Sequence, residues 1–213
     1  MNSRYAPNPP RHCRRCSRLV EFRRENKKKF PTYQNAPAAT FGTPDAQLLI
    51  VGLAPGLHGA NKTGIPFTGD FSGDLLFATL EKVGFSPKAN SGRALLPCAI
   101  TNAVRCVPPQ NKPIGEEIRN CRHYLKNQIA ALPTLRAIVC LGKIAHDSTI
   151  GALGMRPKQA QFAHSAVHNP ENYDFMLFDS YHCSRYNVNT RRLTVEMFEN
   201  VFESAKSYIV DPH

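Results

Sequence analysis

The chain has 213 residues, which suits one domain with a small appendage and can bury roughly 70% of the unfolded surface. Its apolar fraction of 42% is ordinary, and no run approaches the ~18 apolar residues that a membrane span requires. Lys and Arg number 27 against 16 Asp and Glu, a formal charge of +11, which points to a polyanionic partner, nucleic acid ahead of a membrane surface.

Residues 1–45 are basic and proline-rich and read as an N-terminal extension, with a short helix near "SRLVEFRREN". Residues 46–213 alternate apolar runs with amphipathic stretches and read as one domain. "QLLIVG" (47–52) has the pattern of a buried strand. "SGDLLFATLEKVGF" (72–85) predicts a helix with a serine N-cap and a glycine stop. A strand lies within 93–106, and 114–132 is a strong helix with its Glu residues early and its cations late. "LRAIVCLG" (135–142) is a strand followed by a helix at 143–150. "FMLFDSYH" (175–182) is the last strand, and 191–210 a C-terminal helix. Strands alternating with helices predict an α/β layered fold with a parallel sheet, whose ligands sit at the strand carboxyl ends.

One such end carries "GLAPGLHGANKTGIPFTGD" (52–70), with five glycines and two prolines. Neither the dinucleotide fingerprint nor the P-loop fits its spacing, and Lys62 is not followed by a helix in this reading. Phe67 and Asp70 suit a shaped pocket for a planar ligand better than a phosphate cradle. A loop without function is the bland competitor.

Seven cysteines without a secretory signal imply a reducing, cytoplasmic setting and thiols rather than disulfides. Cys13 and Cys16 form a C-x-x-C, and Cys106 and Cys121 have polar flanks. Four thiolates can hold a tetrahedral zinc or an iron–sulfur cluster, and spacing does not decide between them. Cys98 and Cys140 lie in apolar strands and read as core.

Taken together, "GLAPGLHGANKTGIPFTGDFSGDLL", "ITNAVRCVPPQNKP" and "YHCSRYNVNTRRLT" resemble the uracil-DNA glycosylase superfamily, and most of all its cluster-bearing type b branch, family 5. The resemblance covers about 48–205. It implies a three-layer α/β/α fold with a central four-stranded parallel sheet. It also implies a [4Fe–4S] cluster on Cys13, Cys16, Cys106 and Cys121, the set already singled out by spacing. Its members flip a base out of DNA. Gly52 then belongs to the pocket floor, Phe67 stacks on the base, and Asn102 pairs with the base edge. The resemblance makes His182 the donor toward the departing base and Asp70 the carboxylate on the sugar side. Asp74 is a decoy, favoured where it stands by the helix dipole.

The family usually has His-Pro-Ser where this chain has His182-Cys183-Ser184. Cysteine lacks proline's fixed φ, so a looser turn is expected. Arg185 and Arg191 are expected at phosphates, and Tyr186 in the vacated stack. His164 and His168 form a rival cluster that reads as structural. The expected activity is monofunctional removal of uracil, with hypoxanthine and xanthine as further candidates, by a monomer acting on DNA. The alternative is a non-catalytic nucleic-acid binder with a structural metal cluster.

Overall fold

The computed structural model describes residues 8–88 and 95–211. Its first strands are β1 (Phe41–Gly42), β2 (Leu48–Gly52), β3 (Phe85–Ser86) and β4 (Leu96–Asn102). They are followed by β5 (Ala137–Leu141), β6 (Val167–His168) and β7 (Met176–Ser180). The helices are α1 (Ser17–Lys29), α2 (Ala60–Thr63), α3 (Phe71–Val83), α4 (Gly115–Ala130), α5 (Lys143–Ala152), α6 (Arg185–Asn189) and α7 (Val195–Val210). The start of the segment 93–106, read above as holding a strand, lies outside the described residues.

Sheet order is β1-β4-β2-β5-β7-β6, with β3 also on β4. The middle four strands, β4, β2, β5 and β7, are mutually parallel. This is the expected parallel core, extended by antiparallel edges at β1 and β6 and by a short parallel pairing of β3. The central strands are buried along their length because both faces are covered, which is why they read as continuous apolar runs. Leu48, Ile50 and Val139 point to one layer, against Leu76 and Leu80 of α3 and Phe198 and Phe202 of α7. Leu49, Val51 and Ile138 point to the other, against Leu125 of α4 and Ala145 and Ile150 of α5. A period of two along each strand thus makes a three-layer α/β/α domain.

Residues 8–45 lie against this domain. Arg18 of α1 grips buried Glu117 of α4 with two hydrogen bonds, 2.7 and 2.8 Å, and β1 joins the sheet. No helix among the described residues is long and apolar enough to cross a membrane.

Several boundaries depart from expectation for local reasons. α3 begins at Phe71, and its cap is Asp70, whose Oδ1 accepts the Gly73 amide at 3.0 Å. The serine expected as the cap, Ser72, is already inside the helix. α7 begins four residues later than expected, where Thr194 caps the Met197 amide. The glycine-rich loop contains a helical turn, α2, that spacing did not suggest. Lys62 lies within it, exposed, with its Nζ 5.6 Å from the centre of the Tyr33 ring.

Candidate active site and cysteine cavity

The carboxyl ends of β2 and β4 and the segment after β7 surround a cavity lined by Phe67, Asp70, Asn102 and His182 among others. The packing of two of these residues explains why residue 52 carries no side chain. A Cβ at Gly52 would stand 2.5 Å from the Phe67 ring and 2.6 Å from Asn102 Oδ1. Gly52, Phe67 and Asn102 therefore converge, as the family resemblance implied. Phe67 has φ of 57°, a left-handed conformation costly for a bulky residue. Gly73 makes room for that fold, because a Cβ there would run into the Phe67 carbonyl.

Asn102 ends β4 and is 2% exposed, yet its side-chain amide makes no hydrogen bond to the described protein. Buried amides are ordinarily paired, so a free one at a cavity floor is offered to something else. Ala54 and Pro55 line the same cavity and bring no polar side chain. Asp70 spends one oxygen on the α3 cap. Its other oxygen, Oδ2, lies over Gly56 and Gly59, 3.4 Å from where a Cβ at either would stand.

His182 follows β7 and is half-buried. Burial lowers its pKa from the usual value, with the Asp70 charge opposing. Its carbonyl accepts from Asn187 Nδ2 at 2.8 Å, fixing the turn into α6. Cys183 is fully buried and donates its thiol to the Ser72 carbonyl at 3.5 Å. That contact ties the His182 segment to the start of α3, where Asp70 sits. Arg185 and Tyr186 are carried by α6; Arg185 lies over the Phe71 ring, and Tyr186 is 72% exposed. Arg191 is exposed in a left-handed turn just beyond.

The rival histidines stand elsewhere. His168 Nε2 and His146 Nδ1 contact the two oxygens of buried Asp179 at 2.9 and 2.8 Å. Among the described residues this is the one group of three potential ligands within 4.8 Å. Both ring nitrogens of His146 face acceptors, the second being the Ala160 carbonyl at 3.1 Å. Burial lowers the His146 pKa, but Asp179 and the Ala160 carbonyl raise it further, and the net direction is up. The network pins β7, the strand that precedes His182. His164 accepts the Tyr181 amide at 3.2 Å, a backbone role.

Sequence reasoning missed the wall opposite. Gln34 and Asn35 donate their amides to the Lys62 and Asn61 carbonyls at 3.1 Å, and Asn61 Nδ2 donates to Asn35 Oδ1 at 3.0 Å. The residues after α1 thus staple the glycine-rich loop. Paired asparagines 26 apart carry no local pattern that would reveal this.

The four cysteines line a second cavity, between α1, α4 and the segment after β4. Each sulfur has one hydrogen-bond partner. Arg23 Nη1 reaches Cys106 at 3.4 Å and the Arg105 amide reaches Cys121 at 3.3 Å. Asn120 Nδ2 reaches Cys16 at 3.7 Å, and the Tyr124 hydroxyl lies 3.7 Å from Cys13. Burial pushes the Cys106 thiol to about 12 and Cys121 to about 11, so thiolates here require bound positive charge. A single tetrahedral zinc, with Zn–S near 2.3 Å, would hold its sulfurs about 3.8 Å apart. The four thiols do not form such a tight group. A wider-spaced, fully hydrogen-bonded thiol set fits a polynuclear cluster better than one ion.

The sequence model of the uracil DNA glycosylase superfamily matches residues 39–206. The chain belongs to the uracil-DNA glycosylase superfamily. Within it, the chain is 43% identical to a type-5 uracil-DNA glycosylase of Thermus thermophilus over 203 residues, 91% of this chain and 92% of that protein. It is 38% identical to a type-5 uracil-DNA glycosylase of Pyrobaculum aerophilum over 203 residues, 91% of this chain and 88% of that protein. A type-4 uracil-DNA glycosylase of Sulfurisphaera tokodaii is 30% identical over 178 residues, 80% of this chain and 76% of that protein. In this superfamily member the match spans the pocket, Cys106 and Cys121, while Cys13 and Cys16 lie ahead of the segment matched by the family model.

Proposed function

We propose that this chain is a monofunctional glycosylase that hydrolyses the bond between uracil and deoxyribose in DNA, acting as a monomer in base excision repair. The observation that carries this reading is the unpartnered Asn102 amide at the cavity floor. An amide presents a donor and an acceptor together, the complement of a uracil edge. Phe67 provides the stacking face, and Gly52 lets the base sit against the main chain.

Cleavage of the C1′–N1 bond leaves positive charge on the sugar and negative charge on the base. Asp70 Oδ2 faces the sugar side and stabilises the cation. His182, held neutral by burial, donates its N–H toward the base oxygen that gathers the electron pair. Water supplies hydroxide to C1′ and a proton to the base, so free uracil and an abasic site result. In this proposal the release is hydrolytic and involves no Schiff-base step. Arg185 and Arg191 serve as phosphate contacts and Tyr186 fills the gap in the stack. Hypoxanthine and xanthine are further substrates in this proposal.

Cys13, Cys16, Cys106 and Cys121 are the ligands of a [4Fe–4S] cluster. When bound, the cluster cross-links α1, α4 and the end of β4, only four residues beyond Asn102. An assay of free base released from oligonucleotides bearing uracil, hypoxanthine or xanthine tests the activity. Release of uracil is expected; tight binding without release of any base would leave a DNA-binding protein and end the enzymatic reading.

A further inference from the structure

Arg105 is among the largest fully buried side chains, at 1% exposed, and it lines the cysteine cavity. Its guanidinium has no carboxylate partner among the described residues. Nη1 donates to Thr40 Oγ1 at 3.0 Å and, at 3.4 Å each, to the Ala38 carbonyl and Asn8 Oδ1, all neutral oxygens. Nε and Nη2 are buried with no partner among the described residues. A buried cation left this way is costly, and proteins ordinarily pair it. Arg15 and Arg23 line the same cavity, and no Asp or Glu among the described residues does. The cavity is therefore built for an anion.

We infer that Arg105 is the buried counter-ion of the four-cysteine cluster and a positioning residue that sets its charge balance. This rests on the cluster reading given above. Four thiolates around a [4Fe–4S] core of charge +2 leave two negative charges beside the orphaned guanidinium. Net charge and hydrogen bonds to the sulfurs set a cluster's potential. A fixed positive charge next to the ligands favours the reduced, more negative state. The same residue reaches the cluster ligands a second way, through its amide on Cys121 Sγ. It also holds the chain at Ala38, whose amide donates to the Arg105 carbonyl at 2.7 Å.

The test compares purified wild type, Arg105→Gln and Arg105→Lys in iron per chain, loss of iron to a chelator, and midpoint potential. Arg105→Gln is expected to move the potential negative and to lose iron roughly tenfold faster or more. Arg105→Lys restores the charge without the guanidinium fork, and is expected to keep iron and a potential near wild type. If Arg105→Gln does not accumulate folded, the lysine variant decides alone. A lysine variant that loses iron or fails to fold, or a glutamine variant unchanged in potential and iron retention, overturns the inference. Wild-type protein without iron would instead sink the cluster reading itself, a separate outcome.

Discussion

The rings of Phe67 and His182 face each other across the cavity, with centroids 6.2 Å apart and planes 23° from parallel. A heterocycle sandwiched between two rings needs about 7 Å, twice the ~3.5 Å carbon contact distance. That gap is too narrow for such a sandwich, so in the proposed reading the base lies on Phe67 alone and His182 reaches its edge. Phe67→Leu should weaken substrate binding, by up to ~1–3 kcal/mol for a lost stacking face. His182→Ala should instead lower turnover by roughly 10²–10³ while binding persists. Steady-state kinetics beside equilibrium binding separates the two; a His182 variant with normal turnover would remove it from the chemistry.

Asp70 caps α3 with one oxygen and, in the proposed mechanism, serves the sugar side with the other, and the two roles are separable. Asp70→Asn keeps an acceptor for the Gly73 amide, so thermal stability should hold while turnover falls by orders of magnitude. Asp70→Ala loses the cap as well and should cost about 1 kcal/mol of stability more. Paired melting and single-turnover measurements check this. Equal melting temperatures for the two variants would deny the capping role.

The His182 pKa sets a pH expectation. Burial depresses it below the usual 6.5. Neutral imidazole is thus retained as pH falls through that value, and the rate should decline only in more acid solution. Replacing Asp70 by Asn removes the opposing charge, so in its residual activity the decline should move lower still. For stability the sign is the same: the depressed group contributes fully above its unfolded value and destabilises the fold as pH drops below it. A rate profile with its acid limb above 6.5 would contradict this.

Tyr186 is exposed and makes no packing that stability requires. Tyr186→Ala should leave melting unchanged and weaken binding to uracil-containing duplex more than to single strands. Arg185→Ala and Arg191→Ala should each reduce the slope of log binding constant against log salt by about 0.9. Salt titrations by fluorescence anisotropy read this directly.

Cys106→Ser should yield colourless protein with little iron and a lower melting temperature, because α1, α4 and the strand end lose their common anchor. A stable, iron-loaded variant would take Cys106 out of the ligand set.

What the linear order of residues determined was whatever acts over short range. Buried parallel strands such as Leu48–Gly52 announce themselves as apolar runs, since both faces are covered. The three glycine- and polar-rich motifs mark strand ends because only such residues fit there. Fold class, and Phe67 and Asp70 as residues of a pocket, were legible for this reason; Gly52, Asn102 and His182 were reached only through the resemblance of the three motifs to a family. Tertiary structure alone decided what depends on partners distant in the chain. It gave Asp70 its second task as a cap in place of Ser72, and it stapled Asn35 to Asn61. It also buried Arg105 beside four thiols, with no carboxylate among the described residues to neutralise it. An arginine in "NAVRC" reads as one more surface cation, and only three-dimensional burial turns its charge into a demand for an anion.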